Sequence, residues 1–153
     1  MVSVSEDTAY MAVIGRATYL NCRCVSEFLK SVLEKGRTKI LIDFRECTGM
    51  DSTFLGIIAG VALKLNKVGG EVAMLNLSER NRELVDNLGI FKLVKIAEST
   101  DRAETTRSLD CSGNATHANI LSAHENLVEI NPANLAKFED VITFLKKEAD
   151  MYK

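Results

Sequence analysis

The chain has 153 residues, of which 46% are hydrophobic and 26% charged, and a net charge of −2. That composition is enough for one substantial core and argues against nucleic-acid binding driven by phosphate neutralisation. No apolar run approaches the roughly 18 residues that mark a membrane span, and Met1–Asp7 lacks the basic and apolar regions of a signal peptide, so a cytoplasmic location is expected. In chain order, Tyr10 to Arg16 reads as a first strand. Residues from about Asn21 to Lys35 form an amphipathic helix, with Val25, Phe28, Leu29, Val32 and Leu33 on one face and Gly36 as its stop. Thr38 to Phe44 is short, apolar and rich in β-branched and aromatic residues, the pattern of a buried strand.

Met50-Asp51-Ser52-Thr53 follows, and then Phe54, Ile57, Ile58, Val61 and Leu65 recur at helical spacing up to Gly69-Gly70. Asp51 or Ser52 is the N-cap, because a short oxygen side chain there accepts from unpaired backbone N–H groups. A hydroxyl thus stands at the positive end of a helix, beside a carboxylate, where a phosphate would be tolerated. The plain alternative is that Ser52 only caps. Glu71 to Leu75 is a further strand, Ser78 caps a helix carrying Leu84, Val85 and Leu88, and Phe91 to Ile96 closes the series. Helices alternating with apolar strands imply an α/β fold with a mixed, mainly parallel sheet and helices packed on one face. Sites of such sheets lie beyond the carboxyl ends of strands, which is where Ser52 falls.

Several of these segments carry a resemblance in order. Asp51-Ser52-Thr53 with Leu55-Gly56-Ile57, then Ala12-Val13-Ile14-Gly15, Val68-Gly69-Gly70-Glu71, Asn76-Leu77-Ser78-Glu79 and Asp86-Asn87-Leu88-Gly89-Ile90 resemble the STAS domain of sulfate transporters and anti-sigma factor antagonists over roughly residues 1 to 97. The resemblance implies the STAS fold. It also implies that a partner kinase phosphorylates Ser52, and that Met50, Asp51, Ser52, Thr53, Arg16 and Thr18 form the partner-binding surface. Two positions depart from the family pattern: Phe54 stands where a glycine is usual, and Gly15-Arg16-Ala17-Thr18 lacks the acidic residue often found after the second strand.

The function implied is a bacterial, phosphorylation-controlled binding module. It would be an anti-sigma factor antagonist that switches partners with an anti-sigma serine kinase and is reset by a serine phosphatase. The alternative is an unphosphorylated STAS scaffold or adaptor in a sensory or lipid-transport assembly. An enzyme is not expected. A hydrolase elbow needs glycines two before and two after its serine, where this chain has Met50 and Phe54, and no nearby histidine is evident as a base. No cofactor or metal is implied. Cys22 and Cys24 match neither redox nor zinc spacing, Cys47 and Cys111 have no close partner, and His117 and His124 lack ligands at metal spacing. All four thiols are expected to be reduced.

The domain division is expected at residues 1–98 for the STAS module and 99–153 for an extension. Residues 1–98 carry +1 and 99–153 carry −3. Ser99 to Thr116 is polar and contains Gly113-Asn114, so it reads as a linker. One helix is expected near Ala118 to Val128, and a second is expected to start with Asn131 as cap and Pro132 at a preset φ. Leu135, Phe138, Ile142, Leu145 and Ala149 then form one apolar stripe. Such a stripe rarely stays exposed, so docking on the chain's own domain is favoured; a partner helix or a homodimer through this helix stays open.

Overall fold

The structure is a computed structural model and describes residues 1–99, 106–109 and 114–151. Among these residues the apolar runs form a five-stranded sheet in the order β1-β2-β3-β4-β5: β1 (Val2–Val4), β2 (Thr8–Ala17), β3 (Lys39–Met50), β4 (Glu71–Leu75) and β5 (Lys95–Ala97). β1 runs antiparallel to β2, and the remaining pairs are parallel. Because spatial order follows chain order, α1 (Arg23–Glu34), α2 (Ser52–Lys67) and α3 (Glu79–Asn87) each cross between adjacent strands. Gly36 and Gly69, both at φ 76°, end α1 and α2 in the left-handed conformation that a side chain would strain.

Alternation on the strands separates two faces. Ala9, Met11, Ile40, Ile42, Phe44, Val72 and Met74 point into one core with Phe28, Leu29, Val32, Phe54, Ile58 and Leu65 of α1 and α2. Phe54 is 0% exposed and meets Phe44 edge-on at a ring-centroid distance of 6.3 Å, so it is a core residue. Asp43, on the other face, is buried but well partnered. It accepts from Tyr10 Oη at 3.1 Å, Asn76 Nδ2 at 3.1 Å and the Arg45 N–H at 2.9 Å. Burial alone would raise the Asp43 pKa, but these bonds and the Arg45 guanidinium outweigh it and hold the carboxyl below its usual range.

Several elements differ from expectation. β1 is additional, and β3 runs past Phe44 to Met50. Phe91 to Ile96 is not one strand: a 3-10 turn at Ile90–Lys92 precedes β5, because Gly89 at φ 77° turns the chain first. Cys22 and Cys47 are free thiols, whereas Cys24 is disulfide-bonded, which corrects the expectation of four reduced thiols. Cys111 lies outside the described residues, as do 100–105 and 110–113 of the expected linker.

The carboxyl-terminal residues form two helices, α4 (His117–Ile130) and α5 (Asn134–Met151). Asn131 and Pro132 make the turn between them, and α5 begins two residues beyond Pro132. α4 packs along α2, and α5 packs on α4. The α2–α4 contact is close because Gly56 lacks a side chain: a Cβ there would overlap the Ala123 carbonyl. Asn126 Nδ2 also donates to the Gly56 carbonyl at 3.2 Å. Fully buried Asn134 ties the turn down by donating to the carbonyls of Leu88 at 2.9 Å and Leu127 at 2.8 Å. Of the expected stripe, Ile142 and Leu145 are buried and Phe138 packs against the core, but Leu135 is 47% exposed. The side chain of Ala149 lies outside the described residues.

Candidate partner-binding and modification site

The site begins where β3, the central strand, ends. Asp51 leaves the strand in extended conformation and caps α2, its Oδ1 accepting from the Phe54 N–H at 2.9 Å. Asp51, rather than Ser52, is therefore the N-cap, and Ser52 is the first helical residue. The second carboxylate oxygen of Asp51 accepts from the Tyr19 N–H at 2.8 Å, and the Asp51 N–H donates to the Ala17 carbonyl at 3.1 Å. These bonds fasten the loop after β2 to the start of α2.

The structure brings the expected residues together unequally. The register pairs Arg16 with Gly49 and Ala17 with Met50, so Arg16 and Thr18 stand beside Met50-Asp51-Ser52. Arg16 is exposed, and it lines a notch of about 340 Å³ with Thr48, Gly49, Met50, Arg80 and Leu84. Met50, Asp51, Ser52 and Thr18 are half-buried. Thr53 is only 4% exposed, which leaves half-buried Ser52 as the more exposed residue of the pair. Tyr19 and Leu20, 47% and 53% exposed, add an apolar patch beside Asp51 that periodicity could not reveal because they lie in a loop.

The largest surprise is His124. Its Nε2 lies 2.8 Å from Ser52 Oγ, although 72 residues separate the two, so a histidine does face the serine. Nothing local in the sequence announced this, since the contact is made by α4 docking on α2. The imidazole is 4% exposed, its Nδ1 is 2.7 Å from the Ile120 carbonyl, and the Phe138 ring meets it edge-on at 4.8 Å. The carbonyl can only accept, which assigns the proton to Nδ1. In the neutral ring Nε2 is then the acceptor, and the Ser52 hydroxyl donates to it.

Cys22 also lies near Asp51, but it is not a nucleophile at neutral pH. Burial, reinforced by the Asp51 charge, pushes its thiol pKa up to about 11. Among the described residues no cluster of three His, Cys, Asp or Glu side chains could hold a metal ion, and no helix is long and apolar enough to cross a membrane.

The strand order, the parallel crossovers and a capped helix opening at the end of the central strand define an α/β module of the STAS type. The STAS domain family model matches residues 1–103, and the chain belongs to that family. It is similar to the anti-sigma-B factor antagonist of Bacillus subtilis (strain 168), with 27% identity over 100 residues, covering 65% of this chain and 91% of that one. It is also similar to the anti-sigma F factor antagonist of Paenibacillus polymyxa, with 32% identity over 66 residues, 43% of this chain and 56% of that one. Among solved structures, the unphosphorylated anti-sigma factor antagonist SpoIIAA matches with a TM-score of 0.54 and 21% identity, covering 68% of this chain and 89% of that one. The Bacillus cell fate determinant SpoIIAA in its phosphorylated form gives 0.56 and 20%, covering 66% and 91%. At these identities the structural likeness speaks for the fold.

Proposed function

We propose that this chain is an anti-sigma factor antagonist that works by partner switching, with Ser52 as its phosphorylation site. The observation that carries this reading is the position of Ser52: a half-buried serine on the first helical residue of α2, directly after a capping carboxylate, at the end of the central strand. Relatives named as anti-sigma factor antagonists support the role. The unphosphorylated surface formed by Met50, Asp51, Ser52, Arg16 and Thr18, flanked by Tyr19 and Leu20, binds an anti-sigma serine kinase and so releases the sigma factor. Thr53, expected in that surface, contributes through the core instead. The kinase brings nucleotide and chemistry, a serine phosphatase resets the switch, and this chain is the cytoplasmic substrate of both. Residues 1–98 form the switching module and 99–153 its extension.

Phosphorylation would add about −1.5 to −2 charges beside Asp51. The start of α2 offsets part of the repulsion within the chain, typically by about 0.3–1 kcal/mol. At an interface the same charge has to be desolvated, so partner affinity falls while the fold persists.

Incubation with the anti-sigma kinase and ATP, followed by mass spectrometry, should place one phosphate on Ser52. Ser52→Asp should weaken kinase binding, and Ser52→Ala should bind normally but accept no phosphate. A Ser52→Asp variant that binds as tightly as wild type would overturn the electrostatic switch. Binding without any phosphate on Ser52 would favour the scaffold reading.

A further inference from the structure

The Ser52 hydroxyl is hydrogen-bonded to a side chain of α4. Asp51 is closer in sequence, but its two oxygens already accept from the Phe54 and Tyr19 N–H groups. His124 Nε2 stands 2.8 Å from Oγ, and the Ile120 carbonyl holds the ring in the tautomer that leaves Nε2 its lone pair. The ring has little freedom to leave this pose. It is 4% exposed, Phe138 meets it edge-on, and α4 sits on Gly56 of α2 at a distance that only glycine allows. A nucleophile bonded to a base whose orientation is fixed by a third group is the arrangement that activates a hydroxyl. Here the nucleophile comes from the switching module and the base from the extension.

We infer that His124 is the proton acceptor when Ser52 takes a phosphoryl group. This rests on the reading of Ser52 as a phosphorylation site. In the step, a lone pair of Ser52 Oγ forms a bond to the γ-phosphorus of a nucleoside triphosphate held by the partner kinase. The bond from that phosphorus to the β,γ-bridging oxygen breaks, and its electron pair leaves with the nucleoside diphosphate. The hydroxyl proton passes to His124 Nε2. The product places an imidazolium against the new phosphomonoester, a counter-charge that opposes the repulsion from Asp51 and keeps α4 in place.

General bases typically contribute about 10²–10⁴-fold to rate. Single-turnover phosphorylation of the full chain by the anti-sigma kinase should therefore be at least ~10-fold slower in His124→Gln, which can still accept a hydrogen bond but cannot take a proton. Kinase affinity and melting temperature should change little. Added imidazole should restore much of the rate to His124→Ala, an effect that no purely structural role predicts.

Phosphorylation of His124→Gln at the wild-type rate would overturn the assignment. A faster rate would overturn it too and make His124 a cover over the hydroxyl. If the kinase leaves wild type unmodified, the functional reading fails separately. Labelling of Ser52 by an alkyl fluorophosphonate then decides the proton-acceptor role alone: labelling that His124→Gln slows at least ~10-fold sustains it, and equal or absent labelling overturns it.

Discussion

Asp43 shows how one buried charge links the open sheet face to pH. Its folded-state pKa lies below the ordinary value of about 3.9. A depressed carboxylate pKa contributes stability above the unfolded value, and that stability is lost as pH falls through the folded value. Asp43→Asn should cost about 1.5–3 kcal/mol at pH 7, as for a hydrogen-bonded charged group. The gap to wild type in urea melts should narrow once pH drops below about 4. Cys22 supplies a second test at this scale. With a pKa of about 11 and almost no exposure, it should react with maleimide far more slowly than an exposed cysteine at pH 7.5, as intact-protein mass spectrometry would show.

The helices α4 and α5 are the element on which the site depends. Gly56→Ala would push a methyl into the Ala123 carbonyl, so α4 must shift. Overpacking of this kind costs about 1–3 kcal/mol. Hydrogen exchange should then quicken in α4 before it quickens in the sheet. Phe138→Ala removes an apolar side chain from the core edge and the ring beside His124, and should cost no more than about 3 kcal/mol in a thermal melt. The α2 start and the crossover pattern were legible because capping and periodicity are local properties. Leu135, Tyr19 and His124 were not. Leu135 lies in the first turn of α5 and is 47% exposed, Tyr19 depends on a loop bond to Asp51, and His124 on a docking between segments 72 residues apart. The resemblance reached the serine but stopped short of its partner, because it covers roughly residues 1 to 97 and His124 lies beyond them.

At the scale of the whole molecule, the contact of Arg107 with β1 closes part of a sheet edge. An uncovered outer strand is a template on which a second chain can extend the sheet. Val2 of β1 has committed both of its backbone groups to Arg107, donating at 2.8 Å and accepting at 2.9 Å. Removing residues 99–153 should lower the melting temperature by stripping the cover from α2, and light scattering should report association through the bared helix. It should also unseal β1. The truncated chain should then gain thioflavin fluorescence on warming, while the full chain stays dark, because Arg107 occupies backbone groups of β1 that strand-by-strand polymerisation would need.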